Sequence, residues 1–213
     1  MRDAYHDELD AISDSLVEMT RLVGSAISRA TTALLDADLA LAESVITADE
    51  TIDLLYRDVE ERAITILAIQ QPVASDLRIV VTSLRMVADL ERMGDYALNI
   101  AKVARRRAPA SAIPPELRGT IVEMGNEAEE IVARTGSLIA SRSLKQAEEL
   151  EKEDDVMDDL HRKLFTTLLA DDWAHGVEAA IDVTLCGRYY ERFADHAISV
   201  GRRVVFLVTG ERP

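Results

Sequence analysis

The feature that most constrains this chain of 213 residues is an internal repeat covering most of its length. Residues 16–19, Leu-Val-Glu-Met, are matched 105 positions later by residues 121–124, Ile-Val-Glu-Met, and the match continues without a gap for about 40 residues. Later in each copy the offset falls to 100, where residues 91–95 are matched by residues 191–195. The chain is therefore two copies of one unit and must fold as a duplicated structure.

Apolar residues recur at helical spacing through both copies, which predicts an all-α fold. Residues 109–115 hold three of the five prolines and predict a linker. Because the connections within each copy are short, sequential helices should be antiparallel neighbours. We therefore expect two tandem antiparallel three-helix bundles related by the internal repeat, over residues 1–108 and 116–213. The predicted helices cover residues 7–35, 39–70, 75–107, 116–141, 144–171 and 176–209.

Composition excludes several classes of protein. The content of hydrophobic residues is 48%, which suits a chain with a sizeable core, and the net charge of -15 disfavours nucleic acid or an anionic membrane as the main partner. No uncharged apolar run approaches the ~20 residues that span a bilayer, and the acidic N-terminus does not resemble a signal peptide. The single cysteine, Cys186, is compatible with a reducing compartment and is expected to be a small buried residue. We expect a cytoplasmic protein without direct membrane insertion.

Pairs of acidic residues spaced by four recur in both copies, which makes them the main indication of function. Glu91 interrupts a seven-residue series containing Leu77, Leu84 and Leu98 that predicts an inward stripe, and Glu191 interrupts the matching series that begins at Val177. Each glutamate is followed by an aspartate one turn later, and each second helix carries a pair of aspartates. Each bundle should thus direct four carboxylates, with one neutral oxygen donor, to a common volume. The candidate ligands are Asp49, Asp53, Glu91, Asp95 and Asn99, then Asp154, Asp158, Glu191, Asp195 and Ser199.

Four carboxylates at a partly buried seam repel one another, so a positive charge must lie close to them. One solution is a set of divalent or trivalent metal ions, and oxygen donors favour iron, Mn²⁺, Mg²⁺ or Ca²⁺. The other is pairing with the nearby residues Arg57, Arg92, Arg162 and Arg192. Recurrence of both acid pairs in both halves favours metal. His161 follows Asp158 at the spacing seen in di-iron bundles, but the matching position is Tyr56, so it is a weaker candidate.

No Gly-rich phosphate loop, nucleophile elbow or zinc-type cysteine and histidine spacing is present, so we do not expect an enzyme. Two alternatives stay open. Acid pairs on facing helices also suit a di-iron carboxylate oxidase or ferroxidase, and pairing with arginine would give a metal-free helical scaffold. The run Arg105, Arg106 and Arg107 at a helix C-terminus complements the helix dipole, or forms a contact patch.

Longer stretches carry a resemblance to a known family. The opening at residues 5–9, Tyr-His-Asp-Glu-Leu, the segment 70–78, Gln-Gln-Pro-Val-Ala-Ser-Asp-Leu-Arg, and the motif at residues 89–101 together resemble the PhoU family along the whole chain. By this resemblance the four acid pairs correspond to the acid-x-x-x-Asp motifs with which family members bind metal clusters. Ala194 replaces Gly94 in the second copy, so equal occupancy of the two sites is not assured.

The resemblance also implies a function. It predicts a negative regulator of phosphate uptake and phosphate-starvation signalling that acts as a cytoplasmic adaptor between a phosphate ABC transporter and its sensor histidine kinase. Such a protein would help to hold the kinase in its inhibitory or phosphatase state when phosphate is plentiful. The resemblance further implies a homodimer.

Overall fold

A computed structural model of the chain describes residues 2–151 and 154–211, with side chains for residues 6–151 and 155–211. Every regular element in these residues is helical, which confirms the predicted all-α class. A short 3₁₀ helix, Pro115–Leu117, leads into the second half of the chain. The α-helices are α1 (Arg2–Asp36), α2 (Leu39–Gln70), α3 (Ala74–Arg107), α4 (Arg118–Ser141), α5 (Leu144–Glu151), α6 (Asp154–Leu168) and α7 (Gly176–Thr209).

The helix ends follow local chemistry. Asp38 caps α2, since its carboxylate accepts a hydrogen bond from the backbone N–H of Leu41 at 2.9 Å. α2 ends before Gln71, whose left-handed backbone turns the chain towards Pro72. α3 starts at Ala74, one residue before its predicted start. The predicted fifth helix corresponds to α5 and α6, and residues 152 and 153 between them lie outside the described residues.

Each repeat forms one three-helix bundle. In the first, α1, α2 and α3 pack against one another, and in the second, α4 and α7 pack with α5 and α6. The bundles lie side by side, with α1 against α4 and α3 against α7. α1, α3, α4 and α7 therefore form an inner group of four helices, and α2 and the α5 and α6 pair lie on its two flanks. The proposed borders at residues 108 and 116 stay a prediction.

The helices α1 and α4 approach closely at two points that are equivalent in the repeat. Thr31 of α1 lies against Gly125 of α4, and Thr20 of α1 lies against Gly136 of α4. A Cβ atom on Gly125 would lie only 2.5 Å from Cγ2 of Thr31. The hydroxyl of Thr31 also shares a hydrogen bond of 2.7 Å with the buried hydroxyl of Tyr190. These glycines thus set the distance between the bundles on this side.

The third helices, α3 and α7, are joined by buried ion pairs. Asp89 of α3 accepts a hydrogen bond of 2.5 Å from Nε of Arg203 and lies 3.0 Å from Nδ1 of His196, both on α7. Asp182 of α7 is paired with Arg106 and Arg107 of α3, and its side chain is only 3% exposed. Each buried carboxylate therefore has two basic partners on the opposite helix, which compensates its loss of hydration.

The predicted inward stripe of α3 and α7 is wrong at its first residues. Leu77 is 40% exposed and Val177 is 76% exposed, whereas the fully buried positions of α3 include Val80, Val87 and Leu90. A strict seven-residue spacing drifts around a helix of 3.6 residues per turn. The series in α3 therefore follows the edge of the core, since Leu84 and Leu98 are only half-buried. Glu91 and Glu191 consequently lie at the edge of the core, where both are half-buried.

The close approach of α1 and α4 predicts that Gly125→Ala destabilises the protein. The added methyl would overlap Thr31, so we expect the free energy of unfolding to fall by about 1–3 kcal/mol. Urea denaturation measures this change. Gly119→Ala in the same helix is the matched control, since nothing lies within 4 Å of its Cβ position, and it should be neutral or stabilising by up to about 1 kcal/mol. Equal effects of both substitutions would contradict this account of the packing.

Candidate metal centres

The first acid cluster lies at the seam between α2 and α3. Gly94 makes the approach of these helices close, because a Cβ atom there would lie 3.1 Å from Cδ1 of Ile52 and 3.6 Å from Oδ1 of Asp49. Asp49 therefore points towards α3. The cluster comprises four half-buried carboxylates, Asp49, Asp53, Glu91 and Asp95.

These carboxylates perturb one another. Burial raises the pKa of Asp49 from its ordinary value of 3.8 to about 6, with further contributions from the charges of Asp53 and Asp95. Burial and the charge of Asp95 likewise raise the pKa of Glu91. The acids of α2 and α3 thus lie near enough to raise the pKa of Asp49 and Glu91, which favours binding of a proton or a cation there.

Positive side chains compensate the first cluster only in part. Arg92 lies 3.0 Å from Oδ2 of Asp95 and 3.7 Å from Oε2 of Glu91, and the charge of Lys102 lowers the pKa of Asp49 somewhat. The side chain of Arg92 is 61% exposed, so its ion pairs are of the weak surface kind. Pairing with Arg92 is therefore real, but it leaves the pKa values of Asp49 and Glu91 raised.

The second cluster lies at the seam between α6 and α7. Burial and the charge of Asp195 raise the pKa of Glu191, with a smaller contribution from Asp158, while Arg188 and Arg192 oppose the shift. Arg188 pairs with Glu191, and Arg192 lies 3.3 Å from Oδ2 of Asp195. The remaining ligand candidate, Asp154, has its side chain outside the described residues. Glu191 and Asp195 are therefore neighbours here, whereas Asp158 is exposed on α6 and influences Glu191 only weakly.

The two clusters are not identical. Within the described part of the chain, Oε2 of Glu191 and Nε2 of His161 are buried without a hydrogen-bond partner. His161 packs against Gly187, whose Cβ position lies 3.2 Å from its Cδ2 atom, and burial and then Arg188 lower the pKa of the imidazole. At the equivalent position of the first cluster, the hydroxyl of Tyr56 donates to Glu60 at 3.4 Å instead. Among the side chains that the structure describes, a histidine nitrogen accompanies the acids of the second cluster, and a tyrosine takes its place in the first.

The donor types fit hard cations, since both clusters consist of carboxylates, and burial raises the pKa of Asp49, Glu91 and Glu191. Among residues 6–151 and 155–211, however, no three His, Cys, Asp or Glu side chains converge as they stand in a group able to hold a metal ion. Arg92, Arg188 and Arg192 form ion pairs with these acids, so metal binding would require the arginines to release them. Asn99 and Ser199 lie one turn beyond the aspartates, both half-buried. The metal site stays a prediction for all ten residues.

Two of the arginines proposed as partners of the acids lie elsewhere. Arg162 pairs with Asp159 instead of Asp158, and Arg57 is exposed on α2. The arginine run at the end of α3 contacts α7, because Arg106 and Arg107 reach Asp182 and Arg107 also reaches Glu178. The sequence offered one signal for this, since an aspartate at residue 182 stands between apolar neighbours at a core position of the helix.

A groove of about 580 Å³ lies between α1 and α4, far from both clusters in the fold. It is lined mainly by small residues such as Gly24, Ser28, Ala133 and Gly136. None of the ten predicted ligands contributes to its walls, so this groove is separate from the acid clusters.

None of the helices in the described residues is both long and apolar enough for a membrane span.

Fold and clusters together define a class, that of duplicated three-helix bundle proteins with an acid cluster in each repeat. The family model described as PhoU domain matches residues 16–104 and 121–204, that is, both repeats. The chain therefore belongs to the PhoU family.

Relatives from mycobacteria align with the chain end to end. The chain is 52% identical over 213 residues to the phosphate-specific transport system accessory protein PhoU homolog 2 of Mycobacterium tuberculosis, with all of both chains covered. It is 50% identical to PhoU homolog 1 of Mycobacterium leprae, covering all of this chain and 96% of the relative. Both relatives are named as accessory proteins of phosphate transport.

Solved structures share the fold. The crystal structure of PhoU from Pseudomonas aeruginosa superposes with a TM-score of 0.88 at 29% identity, covering 97% of this chain and 100% of that one. The phosphate transport system regulatory protein PhoU from Streptococcus pneumoniae gives 0.86 at 25% identity, with 98% and 99% covered. The predicted arrangement of two PhoU-like bundles is thereby confirmed.

The raised pKa of Asp49 predicts a pH-dependent effect of Asp49→Asn in metal-free protein. Between about pH 4 and pH 6 the folded state binds more protons than the unfolded state, so stability of the wild type falls as pH rises. We expect Asp49→Asn to be more stable than the wild type by roughly 1–2 kcal/mol at pH 7.5, and by little near pH 4.

Urea denaturation in the presence of a chelator, at both pH values, measures this difference. The exposed neighbour provides the control, since Glu50→Gln removes one charge from the same helix without touching the cluster. A gain in stability that is the same at both pH values would show that repulsion within the cluster is not its cause.

Proposed function

We propose that this protein is a cytoplasmic negative regulator of phosphate uptake and phosphate-starvation signalling. In this proposal it is a non-enzymatic, metal-binding adaptor between a phosphate ABC transporter and the sensor histidine kinase, and it works as a homodimer. The observation that carries the proposal is the full-length identity of 52% with a phosphate-specific transport system accessory protein, across both repeats. The duplicated acid clusters support the metal-binding part.

The two bundles suit an adaptor because they offer long, rigid helical surfaces. α3 and α7 each span 34 residues, or roughly 50 Å, and their exposed sides can pack against helices of a partner. Cations held by the acid clusters would supply positive charge to a surface that otherwise repels acidic groups. The acids on α2 and α3, and those on α6 and α7, would hold these ions.

The proposal predicts that deletion of the gene activates phosphate-starvation genes in phosphate-rich medium. Loss of the adaptor would remove the inhibitory state of the kinase, so a reporter of the phosphate response should rise well above its repressed level. Reintroducing the wild-type gene should restore repression. Unchanged reporter expression in the deletion strain would overturn the regulatory assignment.

An interaction assay with the sensor kinase tests whether the acid clusters contribute to kinase binding. Wild type is compared with Asp95→Ala combined with Asp195→Ala, and binding should weaken by about tenfold or more, or 1.4 kcal/mol. Equal binding of both proteins would confine the acids to a structural role.

Metal binding is tested on the purified protein by elemental analysis and by thermal unfolding after chelation. Addition of Mn²⁺ well above its dissociation constant should raise the Tm by about 5–10 °C, because the ion binds only the folded state. Asp95→Asn combined with Asp195→Asn should abolish that increase. Glu50→Gln combined with Asp155→Asn removes the same charge from exposed positions and should retain it.

Absence of stoichiometric metal, together with an unchanged Tm after chelation, would instead favour the scaffold in which the acids are paired with arginine. Consumption of oxygen on addition of Fe²⁺ would favour the di-iron oxidase.

A further inference from the structure

The basic residues of this acidic chain are concentrated on its two third helices. α3 and α7 together carry eleven basic and eight acidic side chains, a net charge of +3. The rest of the chain carries 13 basic and 31 acidic residues. A protein with a net charge of -15 thus has one pair of adjacent helices with the opposite sign.

The acidic residues of α3 and α7 lie mainly between the two helices or at their borders with α2 and α6, so the surface between those borders is basic. Asp89 and Asp182 are buried between the helices, and four further acids belong to the clusters at the borders with α2 and α6. Between those borders lies a strip of arginines that we call the cationic seam. It comprises Arg78, Arg85, Arg92 and Arg106 of α3 with Arg192 and Arg203 of α7.

The cationic seam has unused capacity to donate hydrogen bonds. Arg85 is exposed and forms no ion pair or hydrogen bond with any of the residues that the structure describes. The side chains of Arg92 and Arg106 are 61% and 58% exposed, although Arg92 pairs with Asp95 and Glu91 and Arg106 pairs with Asp182. Since a guanidinium has five N–H donors in a planar fork, these side chains can accept further carboxylates.

Aromatic rings occupy the centre of the cationic seam. Tyr96 of α3 stacks on Tyr189 of α7 with ring centroids 6.2 Å apart, and His196 lies 5.8 Å from Tyr96. All three residues are half-buried, so this aromatic group is partly accessible at the surface. Tyrosine and arginine are the residue types enriched where proteins bind one another, because they combine contact area with hydrogen bonding.

The charge and the width of the cationic seam determine which kind of partner can bind to it. An extended polyanion such as DNA, or an anionic bilayer, would reach past the strip to the acid clusters on both sides and be repelled. A single helix about 10–12 Å wide matches a strip formed by the two adjacent helices α3 and α7, whose axes should lie about 8–10 Å apart. We propose that the cationic seam is the docking surface for an acidic amphipathic helix of a partner protein.

This inference rests on the adaptor function proposed above and adds the chemistry of its partner. Carboxylates of the docked helix would pair with Arg85 and its neighbours, and an apolar or aromatic residue between them would cover the rings of Tyr96 and Tyr189. Because the acid clusters border the strip, cations bound there would strengthen docking by removing the flanking repulsion.

The test uses the full chain and a designed helical peptide with glutamates on one face around a central leucine. A second peptide with lysine for every glutamate is its counterpart. The acidic peptide should bind the wild type, more weakly as salt rises, and should shift the NMR signals of the Tyr96 and Tyr189 rings. Arg85→Glu should weaken its binding about fivefold or more at low salt.

The matched control is Arg21→Glu, since Arg21 is an exposed arginine on α1 at the groove with α4 and its reversal changes the charge equally. Its binding of the acidic peptide should change by less than about twofold. Circular dichroism and Tm establish that both variants fold, because neither arginine is buried.

Four results would overturn the inference. These are equal binding of the acidic and basic peptides, equal losses in both variants, binding of duplex DNA or phosphatidylserine vesicles as tight as that of the acidic peptide, and a change of oligomeric state in Arg85→Glu. The last would assign the seam to a second copy of this chain. None of them depends on expression of phosphate-starvation genes, so failure of this inference and failure of the regulatory proposal are separable.

Discussion

The structure depends on two buried carboxylates that join the repeats, Asp89 on α3 and Asp182 on α7. Burial alone would raise the pKa of Asp89, but hydrogen bonds from His196 and Arg203 outweigh it and lower the pKa below its ordinary value. Removing one partner of such a buried pair costs about 3–5 kcal/mol, a large part of the stability of a typical domain. Because these pairs fix α3 against α7, they also set the position of both acid clusters, which lie on the outer sides of the same two helices.

The contacts between α3 and α7 show how the repeats have diverged while keeping one architecture. The stacked pair Tyr96 and Tyr189 occupies the position that the repeat makes equivalent to the ionic pair of Asp89 and His196. One half of the interface has thus become aromatic and the other ionic. On the opposite side of the molecule the close approaches of Thr20 and Thr31 to glycine have stayed alike. The clusters have kept their carboxylates but differ at Gly94 and Ala194, so two related sites with different neighbours have arisen from one.

The helices and the duplication could be predicted from the sequence, because helices give a periodic pattern of apolar residues and the duplication gives an internal repeat. It also placed acids of α2 with acids of α3, since i, i+4 pairs on adjacent antiparallel helices must share a seam. It could not show how the bundles pack together, because the partner of Arg106 is 76 positions away and periodicity only identifies an apolar face. The prediction that Leu77 faces the core was wrong for a related reason, because a seven-residue spacing does not stay on one face of a straight helix. The residue types of the acid pairs predict oxygen ligands, whereas the pairing of Glu91 with Arg92 depends on side-chain orientation, which no sequence pattern specifies.

The single cysteine gives this interface a natural reporter. Cys186 is buried on α7, one turn beyond Asp182, and burial raises the pKa of its thiol far above the ordinary range. The thiolate is the reactive form, so the native protein should resist alkylation and oxidation at this position. Any opening that separates α3 from α7 would expose the thiol. The rate at which a thiol reagent modifies Cys186 therefore measures local unfolding between the repeats. No label has to be introduced, and the sequence contains no other thiol.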